Sequence, residues 1–66
     1  MLQTIVISKK NYTLNKAKTW LIKRGYKSDV DMKTNSYRFR QREPGQFEKF
    51  YTVKVAPGIN FVFGKK

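Results

Sequence analysis

The stretch Tyr37-Arg38-Phe39-Arg40-Gln41-Arg42 constrains the fold of this chain more than any other. It alternates with a period of two, which is the period of a strand and not of a helix. Read as a strand, Tyr37, Phe39 and Gln41 fall on one face, and Arg38, Arg40 and Arg42 fall on the other. The first face asks for a core; the second asks for water or an anion. The guanidinium groups would lie along one line at intervals of roughly 6.5–7 Å. Successive phosphates of a nucleic-acid strand have a similar spacing, so the row can track a backbone. It can equally be a solvated face that keeps a half-buried strand soluble, and the composition has to decide.

The 66 residues form one small basic α+β domain, 1–66, with a thin core. Chains of this size bury only about 60% of their extended surface and usually lean on disulfides, a metal or a second subunit. There is no Cys and no His, which removes disulfides, thiolate sites and the usual zinc sites. Unaided packing or self-association remains, so a monomer and a homodimer both stay open. Fifteen Lys and Arg against four Asp and Glu give a net charge of +11. Such an imbalance speaks to partners and not to fold. Nucleic acid or an acidic protein is the expected partner. Residues 1–8 are apolar for too short a run to be a signal segment, and no stretch reaches the roughly 20 apolar residues of a membrane span. A chain that is not secreted, with no membrane partner, is therefore expected, and the lack of Cys suits an intracellular or intravirion setting.

Along the chain, residues 2–8 read as a first strand rich in β-branched residues, with Ile5 and Ile7 on one face and Thr4, Val6 and Ser8 on the other. Apolar residues on both faces predict an interior strand or one covered by a partner. Residues 13–24 read as the helix, with Thr13 as N-cap, Tyr12 as a staple on Ala17, and Gly25 taking the left-handed conformation that ends it. Leu14, Ala17, Trp20 and Leu21 form its apolar stripe, with Tyr26 folding back on it; Lys16, Thr19 and Lys23 form its polar face. Residues 28–33 predict a short strand, and Thr34-Asn35-Ser36 a turn into the arginine strand. Asp29 and Asp31 are expected on the same side as some of the arginines, where they can pair with them. Glu43-Pro44-Gly45-Gln46 is a turn, residues 47–56 a strand with a late start or bulge, and Pro57-Gly58 a tight reversal. Ile59, Phe61 and Phe63 point inward along the last strand, which ends in a frayed Gly64-Lys65-Lys66.

The order β-α-β-β-β-β with short turns predicts an α+β fold: a single antiparallel sheet of four or five strands with one helix packed on one face. Leu14, Trp20, Leu21, Tyr37, Phe39, Val53, Val55, Phe61 and Phe63 are expected to meet between them.

Catalysis finds no foothold. General acid–base work needs a positioned His, carboxylate or tuned Lys, and the carboxylates Asp29, Asp31, Glu43 and Glu48 look solvated. Ser8, Ser28 and Ser36 belong to no catalytic motif, and the four glycines stand apart at element ends and form no phosphate loop. No enzyme, cofactor or metal is expected.

Binding to nucleic acid is within reach of the residues present. Lys and Arg neutralise phosphates and release counterions, Arg adds bidentate contacts, and an exposed aromatic can stack on an unpaired base. Phe50 is the best exposed aromatic by parity. No zinc-finger, ribonucleoprotein or helix-turn-helix pattern is present, so contacts that do not read sequence are expected. The first surface is the sheet face with Arg38, Arg40, Arg42 and Lys54; the second is the helix face with Lys16 and Lys23. Lys9, Lys10, Lys65 and Lys66 are expected as mobile additions. An arginine face beside Val6, Phe50 and Val62 also suits docking on an acidic protein.

Three pieces carry a resemblance: Ala17-x-x-Trp20-Leu21 with Gly25-Tyr26, then Tyr37-Arg38-Phe39-Arg40-Gln41, then Gly58-Ile59-x-Phe61-Val62-x-Gly64. Together, over roughly Thr13 to Gly64, the chain resembles a small module of bacteriophages and large DNA viruses, including Marseillevirus-type giant viruses of amoebae. The resemblance implies a viral protein associated with the particle or the genome, located in the virion and the interior of the infected cell. It carries no catalytic residues. DNA is expected ahead of RNA as the nucleic acid.

Overall fold

The structure is a computed structural model that describes residues 1–43, 45 and 47–65. Its elements run β1 (Leu2–Ser8), α1 (Leu14–Lys23), β2 (Val30–Met32), β3 (Ser36–Arg40), β4 (Lys49–Ala56) and β5 (Ile59–Lys65). All strand pairings are antiparallel, and the sheet order is β2-β3-β1-β5-β4. The α+β class and the single sheet expected from the sequence are therefore present. β1 is the central strand, which accounts for its apolar residues on both faces.

Helix α1 begins where Thr13 accepts a hydrogen bond from the Lys16 N–H at 3.3 Å. It ends in a Schellman arrangement: the Tyr26 N–H donates to the Leu21 carbonyl, the Gly25 N–H donates to the Ile22 carbonyl, and Gly25 sits at φ 76°. Tyr26 is thereby turned back, and its ring stacks on Trp20 with centroids 6.4 Å apart.

The core forms where the helix meets the sheet. Ala17 and Leu21 pack with Ile5, Ile7, Tyr37, Phe39 and Ile59, and Leu2, Tyr12, Leu14, Trp20, Tyr26, Val30, Ala56 and Phe61 close its margins. Each fully buried side chain of this size stabilises by about 1.5–3 kcal/mol. Ala17 and Leu21 thus meet residues of β1, β3 and β5, and of β4 only Ala56 reaches the margin of this core. Val53 and Val55, expected in the core, are consequently 43% and 47% exposed. Val55 is further displaced by a bulge: Lys54 pairs with Asn60 and Ala56 with Ile59, leaving no partner for the residue between.

Two boundaries differ from the sequence reading. β3 stops at Arg40, so Arg42 does not extend the arginine row. The cause lies in β1, where the register shifts between Leu2 and Thr4. The Gln3 carbonyl there accepts from both the Gln41 and Arg42 N–H groups, and Gln3 Nε2 donates to the Arg42 carbonyl, which ends regular pairing. At the other end, Gly64-Lys65 is not frayed. Gly64 is buried, donates its N–H to the Met1 carbonyl and lies under the Phe47 ring, while Lys65 pairs with Lys49. Pro44 and Gln46 of the expected turn, and Lys66, lie outside the described residues.

Candidate nucleic-acid interface

Directly paired residues of an antiparallel ladder share a face. Ile5, Phe39 and Phe61 are therefore on the helix side, and Thr4, Val6, Arg38, Arg40, Asn60 and Val62 are on the side opposite the helix. On β4, Thr52 and Lys54 pair with Val62 and Asn60, and Phe50 pairs with Gly64, so these three also belong to that opposite side.

One row on this face runs Asp31, Arg38, Val6, Asn60, Lys54 across all five strands. Arg38 and Lys54 are three strands apart in it, about 14 Å at a strand spacing of about 4.8 Å. The adjacent row places Arg40 beside Thr4, Val62 and Thr52. Phe50 is 46% exposed at the far corner, held edge-on by Phe47 with centroids 6.0 Å apart.

The acids gather at the arginine end. Asp31 stands opposite Arg38 in register, yet its carboxylate pairs with Lys33 at 3.4 Å. Arg40 pairs with Glu43 at 3.8 Å, with both side chains more than half exposed. Such an exposed and long pair is worth little, about 0–1 kcal/mol, and yields to a competing anion. Asp29, Asp31, Glu43, Lys27, Arg40 and Arg42 line one shallow hollow of about 580 Å³. Neither Arg38 nor Lys54 has an ion-pair partner among the described residues.

The residues expected from the sequence thus separate. Arg38, Arg40 and Lys54 share the face away from the helix; Arg42 is exposed past the end of β3. Lys16 and Lys23 are exposed on α1, which packs on the other side of the sheet. Lys10 is exposed in the turn after β1. Lys9, expected to be mobile, is half-buried with its Nζ over the Tyr37 ring, 5.4 Å from the centroid. That cation–π contact and the bond from its N–H to the Asn35 carbonyl fix it to the end of the sheet.

Sequence reading missed the helix side of the β4–β5 hairpin. There Lys49 faces Lys65, and Tyr51 faces Phe63 with rings stacked at 5.3 Å. The signal was available: a reversal centred on Pro57 pairs 49 with 65 and 51 with 63.

No protein-family model, no curated protein and no solved structure matches the chain. No helix among the described residues is long and apolar enough to cross a membrane.

Proposed function

We propose that this chain is a small basic viral protein, associated with the genome or the particle, that binds nucleic acid through phosphate contacts without reading sequence. The observation that carries the reading is the sheet face away from the helix. It presents Arg38 and Lys54 in one row and Arg40 in the next, on a rigid strand platform, in a chain of net charge +11. Rigid strands fix the points from which these cations extend, so no backbone has to be ordered when a phosphate chain docks, while each Lys or Arg held in place still costs about 0.5–1.5 kcal/mol. The viral setting rests on the resemblance carried by Ala17 to Tyr26, Tyr37 to Gln41 and Gly58 to Gly64.

A titration of a fluorescent DNA duplex against salt tests this. About four phosphate contacts give a slope of log K against log salt near roughly −3.5. A flat slope, or no binding at low salt, removes the reading.

A second reading rests on a different observation. β4 has a ladder partner on one side only, and it exposes Phe50, Tyr51, Val53 and Val55 by 43–51%. Such an edge suits strand addition by a protein, either an acidic component of the particle or a second copy of this chain. Cross-linking in intact particles that captures protein and not genome favours it.

A further inference from the structure

The helix side of the β4–β5 hairpin carries an arrangement that folding alone does not reward. Lys49 and Lys65 are direct cross-strand partners, and like charges so placed destabilise a sheet. No carboxylate of the described residues lies within ion-pair distance of either. An anion between them would relieve the repulsion. The next pair along the same face is Tyr51 and Phe63, stacked at 5.3 Å and 19°. Tyr51 has one ring face on Phe63 and is 51% exposed, so its other face is open to solvent. Behind it the stack is anchored: Phe63 touches Phe61 at 6.2 Å, and Phe61 meets Trp20 at 6.1 Å and Tyr26 at 5.7 Å. A rigid aromatic shelf therefore stands one residue pair, about 7 Å, from a two-lysine anion seat. That is close to the separation of a base from its own phosphate.

We infer that the Tyr51–Phe63 shelf and the Lys49–Lys65 pair form a site for an unpaired nucleotide of single-stranded nucleic acid, the base stacking on Tyr51 and the phosphate sitting between the lysines. The inference rests on the nucleic-acid reading above and adds the form of the ligand. A duplex keeps its bases stacked on each other and offers no ring face to Tyr51. A single strand does, and stacking of this kind tolerates any base. Tyr51 and Phe50 are neighbours whose rings lie on opposite faces of one edge strand, so a single strand passing over β4 reaches this shelf from the arginine face.

Anisotropy titrations of a fluorescent twelve-nucleotide oligothymidylate and a twelve-base-pair duplex test the site, with free thymidine monophosphate as a third ligand. Tyr51→Ala weakens the oligothymidylate about 10-fold and the duplex less than about 2-fold. Tyr51→Trp restores single-strand binding, which separates stacking from damage to the fold. Lys49→Gln with Lys65→Gln removes one phosphate contact and makes the single-strand salt slope shallower by about 0.7. Wild-type binding to both forms with Tyr51→Ala changing neither, or weakening both equally, overturns this site and leaves the arginine-face reading standing. No wild-type binding to either form overturns both. Tyr51-dependent binding of the free mononucleotide as tight as that of the oligomer overturns the single-strand assignment.

Discussion

Arg38 stands directly across the β2–β3 ladder from Asp31, and Asp31 gives its carboxylate to Lys33 instead, at 3.4 Å. The arginine is left without an acid partner among the described residues, but a negative charge remains beside it. If Arg38 contacts phosphate, that charge opposes binding. Asp31→Asn is exposed on a short edge strand, so its effect on stability should stay within about 0.5 kcal/mol. Affinity for a DNA duplex at low salt should rise by about 2- to 5-fold, the return expected from roughly 0.5–1 kcal/mol of surface electrostatics. A fall in affinity on anisotropy titration would place the contact elsewhere.

Two glycines have positive φ and should respond differently to alanine. Gly25, at φ 76°, has no atom within 4 Å of where a Cβ would sit, so Gly25→Ala pays only backbone strain, about 1 kcal/mol. Gly58, at φ 80°, would bring its Cβ to 2.7 Å from the Asn11 side chain. Gly58→Ala therefore adds a clash to the strain and should cost about 2–4 kcal/mol. Urea denaturation of the two variants should rank them in that order; equal midpoints would mean that Asn11 moves aside at no cost.

Gln41 ties the end of the arginine strand to the segment after the helix. Its side-chain carbonyl accepts from the Lys27 N–H and its amide donates to the Lys27 carbonyl, both at 2.9 Å. Gln41→Ala leaves both backbone groups to water and should lower stability by about 1–2 kcal/mol. Gln41→Glu keeps the acceptor but turns a carboxylate oxygen toward the Lys27 and Phe39 carbonyls that the amide served, so it should cost at least as much as Gln41→Ala in a urea titration.

A full-core test bounds the thin interior. Phe39 is completely buried between β3 and α1, and Phe39→Ala should remove about 3–5 kcal/mol. In a domain of this size that is enough to abolish the thermal transition seen by circular dichroism.

Much of this fold was legible because local chemistry and tertiary packing agree. Thr13, Gly25 and the Leu14–Leu21 stripe state the helix; the alternation of Tyr37-Arg38-Phe39-Arg40 states the strand and which side is wet. The errors arose where a long-range quantity decided. The reach of the helix across the sheet is not written in Val53 or Val55, whose parity is the same whether they are roofed or bare. Arg42 left the row because Gln3, thirty-nine residues away, captures its carbonyl. The gathering of Asp29, Asp31 and Glu43 near Arg40 and Arg42 needed the β2–β3 pairing and the chain past β3 together. Lys49 and Lys65 were visible only through hairpin register, which the turn at Pro57-Gly58 contains but which single-strand parity does not use.

Phosphate contact through the sheet face away from the helix differs from a diffuse attraction to any cation on the molecule in which charges it needs. Two double variants remove the same charge from opposite sides: Arg38→Gln with Lys54→Gln on the sheet, and Lys16→Gln with Lys23→Gln on the helix. Salt titration of a DNA duplex against each should show the sheet pair flattening the slope by about 1.8 and the helix pair barely changing it. Equal flattening by both would mean diffuse attraction, and a larger effect from the helix pair would move the contact to the helix; either result overturns the sheet-face interface.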